Sequence, residues 1–193
     1  MTEIVAHIDG GSRGNPGPAA YGVAIETTRG QSVTAFGRFV GEATNNFAEY
    51  QGLVAALEYA LDHGYHRLRV VTDSELMERQ IAGRYKVRSP DLKPLYEKAR
   101  AMIARLESFS IRHVPREHNR EADRLANQAL DDAERGIPRR VQSHPAPSLP
   151  PSNASPADLL RSSATFQKGV LQPRARLPLA EGEEVDLEIR RRK

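Results

Sequence analysis

Residues 3–9, Glu-Ile-Val-Ala-His-Ile-Asp, are rich in β-branched side chains and stop at Gly10-Gly11, which predicts a strand. Residues 12–18, Ser-Arg-Gly-Asn-Pro-Gly-Pro, are dense in turn formers. Apolar and polar positions then alternate through 20–28 and 32–40, predicting two strands joined by a hairpin at Arg29-Gly30. From Asn46 the period changes from two to between three and four. Phe47, Tyr50, Leu53, Leu57, Ala60 and Leu61 fall on one stripe, and Gly64 ends the predicted helix. Residues 68–72 predict a short strand, and Asp73-Ser74 caps a helix running to about Ile81. A loop over 83–90, a helix over 92–106, a strand over 109–114 stopped by Pro115 and a helix over 120–134 complete the pattern. The order β-β-β-α-β-α-α-β-α predicts an α/β domain: one mixed sheet with helices on its faces.

The pattern breaks after Gly136. Residues 138–156 contain six prolines and several serines, which predicts a disordered linker over about 136–162 rather than a packed core. Order recovers in 163–193. Lys168-Gly169 stands between apolar runs like a hairpin turn, and Val185, Leu187 and Ile189 alternate with acids. A unit that small buries little surface alone, so docking on a partner or self-association is expected of it.

Charge sharpens this division. Residues 1–135 carry 18 Lys and Arg against 19 Asp and Glu, whereas residues 136–193 carry 10 against 6. The basic balance belongs to the tail, so a nucleic-acid reading of the domain must rest on placed residues. The chain has no cysteine, which excludes a disulfide scaffold, a thiolate zinc site and a cysteine nucleophile. No apolar run approaches the roughly 20 residues of a bilayer span. The opening Met-Thr-Glu-Ile-Val lacks the basic and apolar regions of a secretory signal. A soluble, cytoplasmic protein with no membrane partner is the expectation.

Four carboxylates carry the candidate chemistry. Asp9 and Asp73 each end an apolar strand, where an open α/β sheet has its ligand crevice. Glu49 and Asp123 lie beside the apolar stripes of their helices. Each alone has an ordinary explanation: a cap or turn for the two aspartates, the helix dipole for Glu49, a solvated pair with Arg120 or Arg124 for Asp123. Together in one crevice they would repel one another, and cations would relieve that repulsion. Oxygen ligands fit hard divalent ions such as Mg²⁺ or Mn²⁺.

Four stretches resemble a known family. Asp9-Gly10-Gly11-Ser12-Arg13-Gly14-Asn15-Pro16-Gly17-Pro18 is similar to the opening of type I ribonucleases H. So are Thr44-Asn45-Asn46-Phe47-Ala48-Glu49-Tyr50, Thr72-Asp73-Ser74, and His113-Val114-Pro115-Arg116-Glu117-His118-Asn119-Arg120-Glu121-Ala122-Asp123-Arg124-Leu125-Ala126. They come in family order over residues 1–135. The resemblance implies an RNase H-like five-stranded mixed sheet, its first three strands antiparallel, with helices on both faces and a flexible C-terminal extension. It also implies an enzyme that hydrolyses the RNA strand of RNA–DNA hybrids with two divalent ions, leaving 5′-phosphate and 3′-hydroxyl ends. Asp9, Glu49, Asp73 and Asp123 would be the metal-binding quartet, with Asp9 bridging the ions.

The resemblance further implies a histidine near the fourth acid that assists proton transfer or product release. His118 is the candidate and His113 its competitor, while His7 reads as a sheet-face residue. Gly10, Gly11, Ser12, Asn15, Thr44, Asn45, Asn46 and Ser74 are the implied hybrid-binding positions, although the asparagine pair also reads as a helix cap. Several relatives insert a basic helix and loop where this chain has only Arg84, Lys86 and Arg88, which predicts weaker, salt-sensitive binding. The rival readings are a non-catalytic hybrid-binding module and a DNA nuclease or integrase of related fold. Within the tail, Phe166 to Pro173 and Leu179 to Val185 are similar to the small β-rich modules of prokaryotic antitoxins, which implies self-association or a protein partner.

Overall fold

The computed structural model describes residues 2–136 together with the backbone of residues 164–167 and 170–173. The chain divides into two units, Met1–Pro147 and Ser148–Lys193. In the first unit β1 (Glu3–Ser12), β2 (Gly17–Thr27) and β3 (Ser32–Ala43) form an antiparallel meander. Helix α1 (Asn45–Asp62) leads to β4 (Arg67–Thr72), which pairs in parallel with β1. Helices α2 (Glu75–Ile81) and α3 (Lys93–Ile103) lead to β5 (Ser108–His113), parallel to β4, and α4 (Arg120–Glu134) closes the unit. The sheet order is β3-β2-β1-β4-β5, the five-stranded mixed sheet expected from the sequence.

Strand β1 is central; Ile4, Ala6 and Ile8 make its α1 face apolar, whereas alternation puts Val5, His7 and Asp9 on the opposite face. On one face Leu53, Ala56, Leu57 and Ala60 of α1 pack with Ile4, Ala6 and Ile8 of β1. Each such fully buried leucine contributes about 1.5–3 kcal/mol by leaving water. Met77 and Ile81 of α2 and Met102 of α3 join this layer. On the other face α4 lays Ala122, Leu125, Ala126 and Leu130 on the meander.

The first two strands run past their expected ends. The turn-rich stretch at 12–18 narrows to residues 13–16, because β1–β2 pairing continues to Ser12 opposite Ala19. Gly14 holds φ at +107°, a conformation that L side chains rarely adopt. The Arg13 guanidinium pairs with Asp131 and Glu134 near the end of α4. In the second unit β6 (Ala164–Gln167) and β7 (Val170–Pro173) pair antiparallel on either side of the expected turn. The linker expected over 136–162, Gly136 excepted, and the acidic-apolar alternation near the C-terminus lie outside the described residues.

Candidate active site

The carboxyl end of the central strand holds Asp9. Its neighbour across the β2 ladder is Gly22, and Asp9 is buried. Burial is the largest influence on its carboxyl and pushes the pKa up to about 8. The charge of Asp73, a hydrogen bond with Asp73 and the charge of Asp123 push the same way, while a hydrogen bond from the Gly10 backbone opposes them.

Glu49 reaches this point from the α1 face. A Cβ on Gly10 would lie 2.2 Å from the Glu49 backbone nitrogen, so a glycine beside Asp9 is what lets the first turns of α1 touch the strand. Thr44 caps the helix, its Oγ1 accepting from the Phe47 N–H at 3.3 Å. Asn45 Nδ2 donates to Glu49 Oε1 at 3.0 Å, and the Ser74 hydroxyl donates to Oε2 at 2.5 Å. Burial raises the Glu49 pKa to about 7; the Ser74 bond opposes the rise and Asp73 adds to it.

Asp73 sits where β4 ends and α2 begins, half-buried. Ser74 caps α2 while holding Glu49. Asn119, only 1% exposed, ties this corner together. Its Nδ2 donates to the Ile8 carbonyl at 2.8 Å and to Asp73 Oδ1 at 3.2 Å. Asp123 arrives from the other face on the first turn of α4, where Arg116 pairs with Oδ1 and Asn127 Nδ2 donates to the same oxygen at 3.2 Å.

The comparisons with known proteins bear on this corner. Residues 7–129 match the family described as reverse transcriptase-like. The chain is 47% identical over 130 residues to ribonuclease HI of Halobacterium salinarum, covering 67% of this chain and 65% of that protein. It is 46% identical over 132 residues to the bifunctional protein Rv2228c of Mycobacterium tuberculosis, covering 68% of this chain and 36% of that one. The crystal structure of LC11-RNase H1 in complex with an RNA/DNA hybrid aligns at TM-score 0.65 with 40% identity, covering 68% of this chain and 99% of that one. The chain belongs to the ribonuclease HI family. It spans about two thirds of the Halobacterium relative and about one third of the mycobacterial one.

The remaining expected site residues of this ribonuclease HI domain differ in what they do. Asn15 and Asn45 belong to the corner: Asn15 Oδ1 accepts from the Asn45 N–H at 3.3 Å, joining the glycine-rich turn to α1. Gly11, Ser12 and Asn46 are partly exposed, and the Ser12 hydroxyl donates to the Gly14 carbonyl at 2.5 Å. Gly10 and Thr44 have packing and capping work of their own, and Ser74 orients Glu49. His118 stands in a 3-10 turn (Arg116–His118) ahead of α4, exposed, with no ion pair or side-chain hydrogen bond among the described residues. His113, at the end of β5, is also exposed. The side chains that do meet the acids from this segment are Arg116 and Asn119. The hydrogen bond to Asp123, then the charge of Asp123 and, less, those of Asp9 and Asp73, hold the Arg116 pKa above its ordinary value. Sequence reasoning passed over both. The sequence marks them only as a cation seven residues before Asp123 and an asparagine in a helix-capping place; the structure shows that Asn119 makes no side-chain cap bond and turns to Asp73 and Ile8 instead.

The donor set fits hard divalent cations. All four groups offer oxygen, and two of them hold protons near neutral pH that a cation would displace. Among the described residues, no three acidic or histidine side chains close around one point as a finished cage. Each carboxylate is instead engaged by a neighbour: Asp9 with Asp73, Glu49 with Asn45 and Ser74, Asp123 with Arg116.

Proposed function

We propose that the chain is an endoribonuclease that cuts the RNA strand of RNA–DNA hybrids, using Asp9, Glu49, Asp73 and Asp123 to hold two divalent cations. The observation that carries this reading is the Asp9 carboxyl, buried at the end of the central strand beside two further acids and pushed up to about 8. A surface that only binds a polyanion gains nothing from three acids crowded at one strand end, since they offer phosphate no positive charge. Magnesium or manganese would supply an activated water and charge stabilisation at the leaving 3′ oxygen, giving 5′-phosphate and 3′-hydroxyl ends.

The chain's own residues then have separable work. Asn45 and Ser74 orient Glu49, and Asn119 fixes Asp73 against the β1 backbone. The turn at 13–16 presents Asn15 beside α1, where backbone and amide groups can read a ribose 2′-hydroxyl. The hybrid complex of LC11-RNase H1 supports the choice of substrate. On the exposed side, Arg84 pairs with Glu78, and Arg79 pairs with Glu75 and lies over the Tyr85 ring. This leaves Lys86 and Arg88 as the cations of that loop without an ion pair among the described residues, consistent with salt-sensitive binding.

The test is direct. End-labelled hybrid, duplex RNA and duplex DNA are incubated with purified full-length chain and Mg²⁺ or Mn²⁺. Hybrid-specific cutting that disappears in Asp9→Asn is expected. Metal-dependent binding of the hybrid with no cutting under any of these conditions would return the reading to a non-catalytic module.

A further inference from the structure

The Asp9 neighbourhood is bounded by two missing side chains, one on each face of the sheet. Gly10 faces α1. Gly22, the cross-strand partner of Asp9, faces α4, and its own partner in β3 is Gly37. The line Asp9–Gly22–Gly37 therefore crosses three strands on the α4 face with one carboxylate and no other side chain.

Helix α4 lies directly on that line. A Cβ on Gly22 would sit 2.1 Å from the Ala122 carbonyl oxygen, 2.7 Å from the Ala126 nitrogen and 2.9 Å from the Leu125 Cβ. Two of those three atoms are backbone, so no rotamer change could clear them. Ala122 is the residue before Asp123. A Cβ on Gly37 would meet the same helix further along, 2.3 Å from the Leu125 carbonyl oxygen and 3.2 Å from the Ala129 Cβ.

We propose that Gly22 is a positioning residue for the fourth carboxylate: it sets the height of the first turn of α4 above the sheet and so the reach of Asp123 toward Asp9. This rests on the metal-binding reading above. The helix backbone cannot descend onto a strand that carries side chains. An aspartate arm spans only one methylene, so a helix lifted by the width of a methyl group takes its carboxylate with it. Gly37 seats the same helix about a turn away from Asp123. It should therefore matter for packing, with little bearing on the metal.

Four variants of the full chain separate these roles by Mn²⁺ calorimetry and denaturant unfolding: Gly22→Ala, Gly37→Ala, Asp123→Glu, and Gly22→Ala with Asp123→Glu. Gly22→Ala should weaken Mn²⁺ binding at least tenfold, and Gly37→Ala should lose comparable stability with affinity within about twofold of the parent. Asp123→Glu should weaken binding in the parent yet restore at least part of it in Gly22→Ala, because the longer arm spans the added height. Equal loss of affinity in the two glycine variants, or a glutamate that harms both backgrounds alike, overturns the proposal. Should Gly22→Ala not fold, Asp123→Glu alone still decides: parental affinity with the longer arm would show that helix height is not limiting. A parent chain that binds no Mn²⁺ would instead overturn the metal reading itself.

Discussion

Glu49 and Asp123 approach the same strand end from opposite faces, and the two faces treat their carboxylates differently. Glu49 is buried and held by neutral donors, the Asn45 amide and the Ser74 hydroxyl. These fix its direction without cancelling its charge, so burial still raises its pKa to about 7. Asp123 keeps 27% of its side chain exposed and is held by a cation, Arg116, itself 71% exposed. The α1 face prepares a carboxylate that lacks a counter-charge. The α4 face supplies one with a provisional counter-charge that solvent and salt can loosen. Under the proposed function, an incoming cation would complete the first and compete for the second.

The largest expected effect lies at the shared centre. Asp9→Asn and Glu49→Gln should each reduce hybrid cleavage by more than about a thousandfold, roughly 4 kcal/mol of transition-state stabilisation. Steady-state rates with saturating Mg²⁺ read this, and near-parental activity in Glu49→Gln would break the contrast between the faces.

Next comes pH. In the folded, metal-free chain Asp9 and Glu49 keep their protons up to about 8 and about 7. Unfolded carboxylates lose theirs near pH 4. Between those limits the folded state binds more protons, so this stabilisation is full below about pH 4 and is lost as pH rises through about 8. Melting in EDTA should show Tm falling by on the order of 10 °C from pH 5 to 8.5, with a flatter curve for Asp9→Asn. A Tm that climbs across this range in the parent chain contradicts the burial argument.

Asn119→Ala removes the bridge between β1 and Asp73 and should cost about 1–3 kcal/mol in urea unfolding, the usual penalty for unpairing buried groups. The smallest effect belongs to the exposed side. Arg116→Ala frees Asp123 and should tighten Mn²⁺ binding about two- to fivefold by calorimetry, the scale of an exposed ion pair. Unchanged affinity would mean that Arg116 does not compete for the carboxylate.

Most elements were legible because their signals are local. Alternation in 20–28 and 32–40, the stripe through Leu53 and Leu57, and the Ser74 cap all act within a few residues. The strand ends were less so: β1 reaches Ser12 because Ala19 pairs with it across the turn, a partnership no single segment displays. Within the site, the four carboxylates stood out because an acid beside an apolar run is an anomaly in one dimension. Arg116 and Asn119 did not, because a cation in a loop and an asparagine before a helix are ordinary there. Their partners, Asp123, Asp73 and the Ile8 carbonyl, are set by folding. His118 stood out for its chemistry, and the fold leaves it exposed ahead of α4, while Arg116 from the same short turn meets the acid.

The chain alone thus determined which residue types are present and their order: oxygen donors without cysteine, three meandering strands before the alternating units, and an acid at the end of two apolar strands. Tertiary structure decided which carboxylate is buried against which face, what holds it and how near each helix comes. Those quantities depend on distances between segments over a hundred residues apart, such as Ile8 and Asn119. They are set by what the intervening glycines leave unfilled, and a list of residues does not record empty space.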